Sequence, residues 1–444
     1  MKRLLGEAGF FAYLDALAQP YTRALRINLL LCPDGAPPCP IEGLGAPVPW
    51  AKGAYFVEGD ARPGLSPLHE GGLFYMQEPS ALTAVTALDP QPGERVLDLC
   101  AAPGGKSTQI AALMAGRGLL ICNEPVPSRA QILSRNVERM GVRHAVVLSA
   151  MPDALAPRFP AFFDRILVDA PCSGEGMFRR QPEARSEWDA DSPRRCADRQ
   201  MEILEQAAKM LRPGGTMVYS TCTFNDTENE GVLKRFLALH PEFALEPFAL
   251  PGLPEAKDGY LHLYPHEMRG EGHFVSRLKK SGEAAEPAVP AKAASKKKAP
   301  ARAASAKGKA PTPIALPDVF SDAFTPERLY AAGDALWMLP EGISIEQLSG
   351  LRVLRTGLLL AHAEGRRSEP DHALAMALRP EEAARTANLT LEQALAYQAG
   401  EALELGDLPG GYTLLCCEGV SLGWGKQAGG LMKNHYPKGL RRRG

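Results

Sequence analysis

Apolar residues in the middle of the chain come in short runs that alternate with longer stretches of helical periodicity. The runs RVLDLCA, GLLICNE, AVVLS and DRILVDAP have the continuous apolar character of buried strands. Helical patterns such as KSTQIAALMA and SRAQILSRNVERMGV lie between them. This alternation predicts an α/β fold with a doubly wound parallel sheet over residues 76–280.

The flanking segments follow different patterns. Residues 1–75, with RALRINLL and many prolines, predict a small separate N-terminal α+β part. Residues 281–313 consist mostly of Ala, Pro, Ser, Gly and Lys, which predicts a flexible basic linker because almost nothing there can be buried. Residues 314–444 contain strand-like runs such as GYTLLCCEGVSLGW and predict a small mixed or mostly β domain.

Composition narrows the class of protein. A chain of 444 residues with 45% hydrophobic and 23% charged residues is typical of a globular protein of two or three domains. The balance of 50 basic and 51 acidic residues neither supports nor excludes a nucleic-acid partner. No apolar run reaches membrane-spanning length, and Glu7 and Asp15 interrupt the N-terminal stretch, so we expect a cytoplasmic monomer without a membrane segment. The nine cysteines contain no C-x-x-C pair, which predicts reduced thiols and no metal.

The stretch VLDLCAAPGGKS places a glycine-rich turn between a strand and a helix, where open α/β sheets bind ligands. A phosphate-binding P-loop would need glycine at Cys100, and a dinucleotide fingerprint would need more than Gly104 and Gly105. The stretch instead resembles the loop in which class I methyltransferases cradle the methionine part of S-adenosylmethionine. The next strand ends in Glu124, 124 − 98 = 26 residues after Asp98, and an acid there suits ribose hydroxyls.

Two cysteines follow strands of the predicted sheet. Asp169 and Cys172 come after the run RILV, and Cys222 comes after MVYST. Because the carboxyl ends of parallel strands share one edge of a sheet, we expect these three side chains to converge. A single cysteine at a strand end is most often a small buried hydrophobe, and we interpret three of the others in this way: Cys100, Cys122 and Cys196. Two thiols at the ligand-binding edge of one sheet favour a catalytic role.

A thiol answers a specific chemical need. Carbon 5 of a pyrimidine is too electron-poor to attack a methyl donor, but a thiolate that adds at carbon 6 makes carbon 5 an enamine-like nucleophile. Loss of the carbon-5 proton then eliminates the thiol. Little of an unperturbed thiol is ionised at neutral pH, so the site must lower the thiol pKa or deprotonate it when substrate binds. We expect Asp169 to hydrogen-bond the edge of the cytosine ring and favour addition.

The motifs DLCAAPGGKS, DAPCSGEG and STCTF occur in this order, with 222 − 169 = 53 residues between Asp169 and Cys222. Together with the upstream segments RALRIN and MQEPSAL, they resemble the RNA cytosine-C5 methyltransferases of the nucleolar protein/Sun family, over roughly residues 20–280. The C-terminal LGWGKQAGGLMKNHYPKGLR resembles the PUA-like RNA-binding module of the bacterial ribosomal RNA small subunit methyltransferase F type. The resemblance implies transfer of a methyl group to RNA, with small-subunit ribosomal RNA or the 30S subunit as partner.

The resemblance also implies roles for individual residues. Cys222 matches the nucleophile, Cys172 matches a second thiol that assists elimination, and Asp169 lies beside both cofactor and base. Lys106 is expected to help in proton handling. Asp153 matches an acid near the adenine, although its spacing is loose and Ser149 or another neighbour remains an alternative. The residues expected to bind S-adenosylmethionine are Ala101, Ala102, Pro103, Gly104, Gly105, Lys106, Ser107, Glu124, Arg129, Asp153 and Asp169.

Basic residues cluster around two aromatics near the C-terminus. Phosphate attraction and base stacking are the contributions expected of such residues in RNA binding, and a solvated basic terminus is the alternative. We expect the N-terminal part and the linker lysines to hold RNA as well. The aromatics are Trp424 and Tyr436, and the basic residues are Lys426, Lys433, Lys438, Arg441, Arg442 and Arg443.

Two other functions are compatible with parts of the pattern. In a DNA cytosine methyltransferase Cys172 would be the nucleophile, but the Thr-Cys-Thr motif and the RNA-type flanks speak against this. A non-catalytic RNA-binding assembly factor could retain a methyltransferase fold, but the intact Gly104-Gly105-Lys106, Asp169 and the two cysteines argue against decay. The cytosine that is modified and the base that removes the carbon-5 proton stay open.

Overall fold

The computed structural model describes residues 1–180, 182–283, 314–364 and 367–441. From residue 284 onward the predicted linker at 281–313 lies outside the described residues, as do Arg442 and Arg443. Within the described ranges no helix has the length and apolar character needed to cross a membrane.

The N-terminal part forms one long helix and a small antiparallel sheet. Gly6, with φ of 69°, interrupts the long helix at a conformation that glycine adopts without strain. The elements are α1 Lys2–Ala18, β1 Ala24–Ile27, β2 Leu44–Pro47, β3 Ala54–Val57, a 3₁₀ turn Pro63–Leu65, α2 Pro67–Glu70 and β4 Phe74–Met76. The strands lie in the order β2-β3-β1-β4.

The middle of the chain forms the large sheet and the helices that cover it. Its first half comprises α3 Leu82–Leu88, β5 Arg95–Asp98, α4 Gly105–Leu113, β6 Leu119–Asn123, α5 Pro127–Arg139, β7 Ala145–Leu148, α6 Pro152–Leu155, a 3₁₀ turn Ala156–Arg158 and β8 Phe163–Asp169. Its second half comprises a 3₁₀ turn Glu175–Met177, α7 Pro182–Glu187, α8 Ser192–Met210, β9 Leu211–Thr221, α9 Asn229–Leu239, β10 Phe243–Leu245, β11 Tyr260–Leu263 and β12 His273–Lys280.

The strands β9-β8-β5-β6-β7 are parallel, and β12 continues the sheet antiparallel beside β9. Side chains alternate between the two faces of each strand, which explains why the runs are apolar throughout. Val96 and Leu120 pack under α3, α4 and α5, whereas Leu97 and Ile121 pack under α8 and α9. The predicted doubly wound α/β fold is therefore confirmed.

The C-terminal part forms two further sheets. The segment that forms the first of them comprises β13 Leu329–Ala332, β14 Ala335–Met338, α10 Ile345–Leu348, β15 Val353–Arg355, β16 Leu358–Glu364, β17 Arg367–Pro370, α11 His372–Ala377 and a 3₁₀ turn Pro380–Glu382. The second contains β18 Thr386–Asn388, α12 Leu391–Ala399, β19 Gly411–Cys417, β20 Val420–Ala428, β21 Leu431–Asn434 and a 3₁₀ turn Lys438–Leu440. Their orders are β13-β14-β16-β17 and β18-β19-β20-β21.

Strand β15 leaves its own region and pairs antiparallel with β7 at the edge of the large sheet. The N-terminal sheet lies between the other two parts. One of its faces, with Phe56 and Tyr75, joins the core of the large sheet, and the other, with Leu25 and Phe74, packs with Leu415 of the C-terminal sheet. The described regions thus share continuous apolar cores.

Candidate active site

The glycine loop joins β5 to α4 at the carboxyl edge of the parallel strands. Gly104 has φ of 114° and immediately precedes α4, a conformation in which an L side chain would be strained. A Cβ on Gly105 would stand 3.2 Å from the Tyr75 ring, so the helix start also packs closely. The loop is held from outside by the Asn136 amide, which donates to the Pro103 carbonyl at 2.9 Å. The conformation of the glycine loop is therefore set by contacts within the protein.

Asp98 ends β5 beneath this loop and is fully buried. Ser107 Oγ donates to its Oδ2 at 2.6 Å, whereas Oδ1 has no hydrogen-bond partner among the described residues. Burial raises the pKa of Asp98 to about 7, and the Ser107 hydrogen bond opposes that rise. An unpartnered buried carboxylate oxygen beside a cofactor loop suits a cationic donor such as the amino group of S-adenosylmethionine.

Glu124 follows β6 and is buried, 3% exposed. Its Oε1 accepts from the Val126 backbone N–H at 3.0 Å, and its Oε2 lies 3.5 Å from Arg129 Nη1. Arg129 also donates to the Ala102 carbonyl at 3.2 Å, which ties the second strand end to the glycine loop. A carboxylate held in this way can accept hydrogen bonds from ribose hydroxyls.

Lys106 and Asp169 form an ion pair between the loop and the end of β8. Lys106 Nζ donates to Asp169 Oδ2 at 2.8 Å, and Ser220 Oγ donates to Oδ1 at 2.9 Å. Burial opposes both charges, but the Lys106 ammonium and the nearby His273 imidazole outweigh it and lower the pKa of Asp169. The Asp169 carboxylate likewise raises the pKa of Lys106 against burial. Asp169 is therefore a charged acceptor.

The two predicted thiols meet beside this pair. Cys172 Sγ and Cys222 Sγ are 3.3 Å apart, within hydrogen-bond distance for sulfur, and either can donate. The hydrogen bond to Cys222 and then burial raise the pKa of Cys172. His273, which begins β12 beside this strand end, is buried with Nε2 3.5 Å from Asp169 Oδ1 and unbonded within the described chain.

Two glutamates bind the loops that carry the cysteines. Glu175 Oε2 accepts from Thr223 Oγ1 and the Phe224 backbone N–H, both at 2.9 Å, beyond Cys222. Glu228 is fully buried and accepts from the Ser173 backbone N–H at 3.0 Å, next to Cys172. These contacts hold the two loops in a fixed relation.

A cavity of about 990 Å³ opens at this edge. Its walls include seven of the predicted residues: Ala102, Glu124, Arg129, Asp153, Asp169, Cys172 and Cys222. The rest of the predicted set is not among the residues that line the cavity: Ala101, Pro103, Gly104, Gly105, Lys106 and Ser107. Helix α8 and the segment before it add a further wall, which includes Trp188, Cys196 and Arg199. No group of three or more candidate metal ligands occurs among the described residues.

The alternatives left open near the adenine lie in different environments. Asp153 is exposed in the first turn of α6 and faces the cavity. Ser149 is nearly buried, donates from its Oγ to the Pro125 carbonyl at 3.3 Å, and donates from its backbone N–H to the Arg352 carbonyl at 2.9 Å. Asp153 therefore has the more suitable placement of the two.

The expected stacking role of two C-terminal aromatics is wrong. Trp424 and Tyr436 are only 2% and 4% exposed, and the Trp424 indole donates to the Asp371 carbonyl at 2.8 Å. Both rings belong to apolar core clusters of the C-terminal part, Trp424 to one and Tyr436 to another. The half-buried Tyr412, with Lys426 Nζ 4.6 Å from its ring centroid, is the aromatic that reaches this surface.

Four residues of the site escaped prediction: Asp98, Glu175, Glu228 and His273. Glu228 lies in NDTENE, a polar segment that reads as a solvated loop, and its burial depends on how two distant loops fold together. Glu175 lies within the motif DAPCSGEG, and its carboxylate three residues after Cys172 was the available signal. His273 begins a strand whose partner lies some 50 residues upstream, where no local pattern links them.

Four family models match successive parts of the chain. Residues 85–279 match 16S rRNA methyltransferase RsmB/F, and residues 1–79 match the N-terminal domain of 16S rRNA methyltransferase RsmF. Residues 317–378 match the RsmF rRNA methyltransferase first C-terminal domain, and residues 384–442 match the methyltransferase RsmF PUA domain.

The individual proteins that this chain resembles are also methyltransferases or methyltransferase homologs. The ribosomal RNA small subunit methyltransferase F of Erwinia tasmaniensis is 33% identical over 100% of this chain and 96% of its own length. That of Shigella boydii is 34% identical over 98% and 93%. A methyltransferase homolog from Pyrococcus horikoshii is 29% identical, with a TM-score of 0.52 over 63% of this chain and 97% of its own. NSun6 from the same organism, solved with SFG, shares the fold at 22% identity and a TM-score of 0.54, over 64% and 97%.

Proposed function

Because the chain belongs to the ribosomal RNA small subunit methyltransferase F family, we propose that it transfers a methyl group from S-adenosylmethionine to carbon 5 of a cytosine in 16S ribosomal RNA. The observation that carries the proposal is the thiol pair, Cys172 and Cys222, 3.3 Å apart on the cavity wall that also holds Asp169. A thiol nucleophile is the group that cytosine C5 methylation needs, because carbon 5 becomes nucleophilic only after addition at carbon 6.

Candidate cofactor residues lie at this edge of the sheet, with Glu124 and Asp153 on the cavity wall and Asp98 outside its lining. Asp98 Oδ1 would accept from the amino group of the cofactor, Glu124 from its ribose hydroxyls, and Asp153 would lie near the adenine. When bound, S-adenosylmethionine supplies an electrophilic methyl group on its sulfonium sulfur. The glycine loop contributes backbone groups at the start of α4 and keeps side chains out of the way.

The side chains around the base have separate tasks. Cys222 Sγ adds to carbon 6, and the charged Asp169 accepts a hydrogen bond from the exocyclic amino group of the cytosine. Lys106 keeps Asp169 ionised and in place, since its ammonium contacts Oδ2. Cys172 is the neighbouring thiol that assists when Cys222 leaves carbon 6. The cytosine must leave its stack to reach this wall, which costs on the order of a few kcal/mol.

The regions outside the large sheet are proposed to hold the RNA and offset that cost. The N-terminal sheet packs against the core of the large sheet beside the glycine loop. The C-terminal sheet places Lys426 and Lys433 directly opposite each other on neighbouring strands. Two adjacent ammonium groups attract phosphate. We further propose that the protein acts as a monomer in the cytoplasm, where small-subunit RNA or the 30S subunit is its substrate.

The test uses the full-length protein, S-adenosylmethionine and an unmodified 16S ribosomal RNA transcript or 30S subunit. Cys172→Ala should accumulate a protein–RNA adduct that survives denaturing electrophoresis, because Cys222 still adds but is released slowly. Cys222→Ala should give no adduct and no 5-methylcytosine, measured by mass spectrometry of digested RNA.

Each alternative function has a distinct outcome. An adduct in Cys222→Ala that disappears in Cys172→Ala would reverse the nucleophile and favour the chemistry of a DNA-type cytosine methyltransferase. Absence of S-adenosylmethionine binding in isothermal titration of the wild-type protein would favour a non-catalytic assembly factor.

A further inference from the structure

Glu228 is a fully buried acid whose hydrogen-bond donors are all neutral among the described residues. Its Oε2 accepts from the Ser173 backbone N–H at 3.0 Å and from Gln200 Nε2 at 2.8 Å, and its Oε1 accepts from Asn225 Nδ2 at 2.8 Å and from the Ser173 hydroxyl. Since every partner donates, the carboxylate is the form that this pocket accommodates.

A buried carboxylate without a cation is costly, so its local compensation is informative. Glu228 is the residue immediately before α9, an eleven-residue helix, where the partial positive charge of the helix N-terminus favours an anion. Neutral donors and the helix together stabilise the charge and leave it uncancelled. Its field therefore acts on neighbouring titratable groups.

Cys172 is the titratable residue that lies between Pro171 and Ser173, the two residues held by these hydrogen bonds. Glu228 holds Ser173 on one side of it, and Gln200, which also donates to Glu228, donates to the Pro171 carbonyl at 3.0 Å on the other side. The Tyr219 hydroxyl completes the arrangement by donating to Gln200 Oε1 at 2.9 Å. Cys172 is thus positioned on both flanks by one buried carboxylate.

We propose that Glu228 is a positioning residue that gives the thiol–thiol hydrogen bond its direction, with Cys172 Sγ–H as donor and Cys222 Sγ as acceptor. The uncancelled negative charge disfavours a thiolate at Cys172, so Cys172 keeps its proton and can donate it in a hydrogen bond to Cys222 Sγ. The contact with Cys222, burial and the Glu228 carboxylate all raise the pKa of Cys172. Glu228 therefore disfavours the thiolate at Cys172, while the Lys106 ammonium interacts with Cys222, so the pair contains one nucleophile and one proton-bearing thiol.

This assignment deepens the proposed function and rests on it for its catalytic meaning. In the elimination step, the electrons of the C5–H bond form the C5=C6 double bond and the proton passes to a base. The C6–S electron pair leaves with Cys222 Sγ as a thiolate, which accepts the hydrogen bond from Cys172. Cys172 keeps its proton throughout.

The thiols can be examined without RNA or cofactor. Iodoacetamide alkylates thiolates, so its rate at each cysteine as a function of pH, measured by peptide mass spectrometry, reports the ionisation of that cysteine. In the wild-type protein, Cys222 should be alkylated before Cys172 between about pH 6 and pH 9. Glu228→Gln removes the charge and should raise the Cys172 rate about tenfold in this range, equivalent to one pKa unit.

Glu175→Gln is the matched control. Glu175 binds the Cys222 loop through Thr223 and Phe224, and among the described residues it reaches Ser173 only indirectly, as through the Thr223 hydroxyl, so the variant loosens the same loops while the Glu228 carboxylate stays in place. It should leave the pH profile of Cys172 unchanged. Glu228→Asp, which keeps the charge, should restore most of the wild-type profile.

The outcomes separate this inference from the proposed function. A wild-type protein in which Cys172 is alkylated before Cys222 overturns the inference, even if Glu228→Gln fails to fold. An equal shift in Glu175→Gln overturns it as well, because the effect would then be mechanical. If the profiles are as expected but no 5-methylcytosine forms, the proposed function fails and the thiol assignment stands.

Discussion

Two pairs of cysteines in this protein are associated with two different sheets and have different environments. Cys172 and Cys222 follow β8 and β9, at the edge where parallel strands end and a cavity opens. Cys416 and Cys417 are the last two residues of β19 and have no exposed surface. They point to opposite faces of their strand and join separate apolar clusters.

The difference arises from position in the sheet, because the residue type is the same. A thiol within a strand is surrounded by apolar side chains, and burial raises the pKa of Cys416 to about 12 and that of Cys417 to about 11. A thiol beyond the strand end is half-buried and has polar neighbours that the loops bring to it. The two thiols at the carboxyl edge of the large sheet can therefore take part in chemistry, whereas the two thiols of β19 serve packing.

Replacing sulfur by oxygen at the edge should have the largest effect. Cys222→Ser leaves a hydroxyl that is far less acidic and a poorer nucleophile, so we expect the rate of methyl transfer to fall on the order of 10⁴-fold or more. The measurement is incorporation of labelled methyl into 16S ribosomal RNA under single-turnover conditions. Cys417→Ser should transfer methyl groups at the wild-type rate, and comparable losses in both variants would remove the distinction.

Asp98→Asn extends the comparison to a buried carboxyl at the same edge. The folded-state pKa of Asp98 is raised to about 7, above its unfolded value of about 3.9. As pH rises through this window the unfolded state releases its proton first, so the wild-type protein loses stability, up to about 4 kcal/mol in total. The variant cannot ionise, so its melting temperature should exceed that of the wild type more at pH 8 than at pH 5.

The same substitution should weaken the cofactor site. Loss of a charge-assisted hydrogen bond costs about 1.5–3 kcal/mol, so isothermal titration should show S-adenosylmethionine binding at least about tenfold weaker. A stability gain without weaker binding would show that Asp98 Oδ1 has no part in the cofactor site.

The site residues at the carboxyl edge of the large sheet could be predicted from the sequence, whereas several residues and strands around that edge could not. Asp169, Cys172 and Cys222 were predictable because each follows a buried run, and parallel strands bring their carboxyl ends together. Strand β15 was not, because it pairs with β7 across some 200 residues of chain and has no distinctive pattern of its own. Glu228 was not, because burial of a polar loop is a tertiary property.

Alkylation of the folded wild-type protein should distinguish the two pairs directly. Cys416 and Cys417 can react only after their sheet opens, whereas Cys172 and Cys222 line a cavity. We expect the core pair to react on the order of 100-fold more slowly with iodoacetamide at pH 8, as for groups that need local unfolding. The difference should vanish in denaturant, and its persistence there would point to intrinsic reactivity instead of burial.

The smallest effect is expected from the reciprocal substitution inside the sheet, Cys416→Ser. Its sulfur is 3.9 Å from the Leu414 carbonyl oxygen, and a shorter hydroxyl side chain would bury a polar group with little to bond. The cost should be about 1–3 kcal/mol, seen as a lower urea midpoint with an unchanged slope. Cys222→Ser, whose hydroxyl faces the cavity, should change stability by no more than about 0.5 kcal/mol. If Cys416→Ser instead slowed methyl transfer while still folded, the core cysteines would be coupled to the site, and position in the sheet would not separate packing from chemistry.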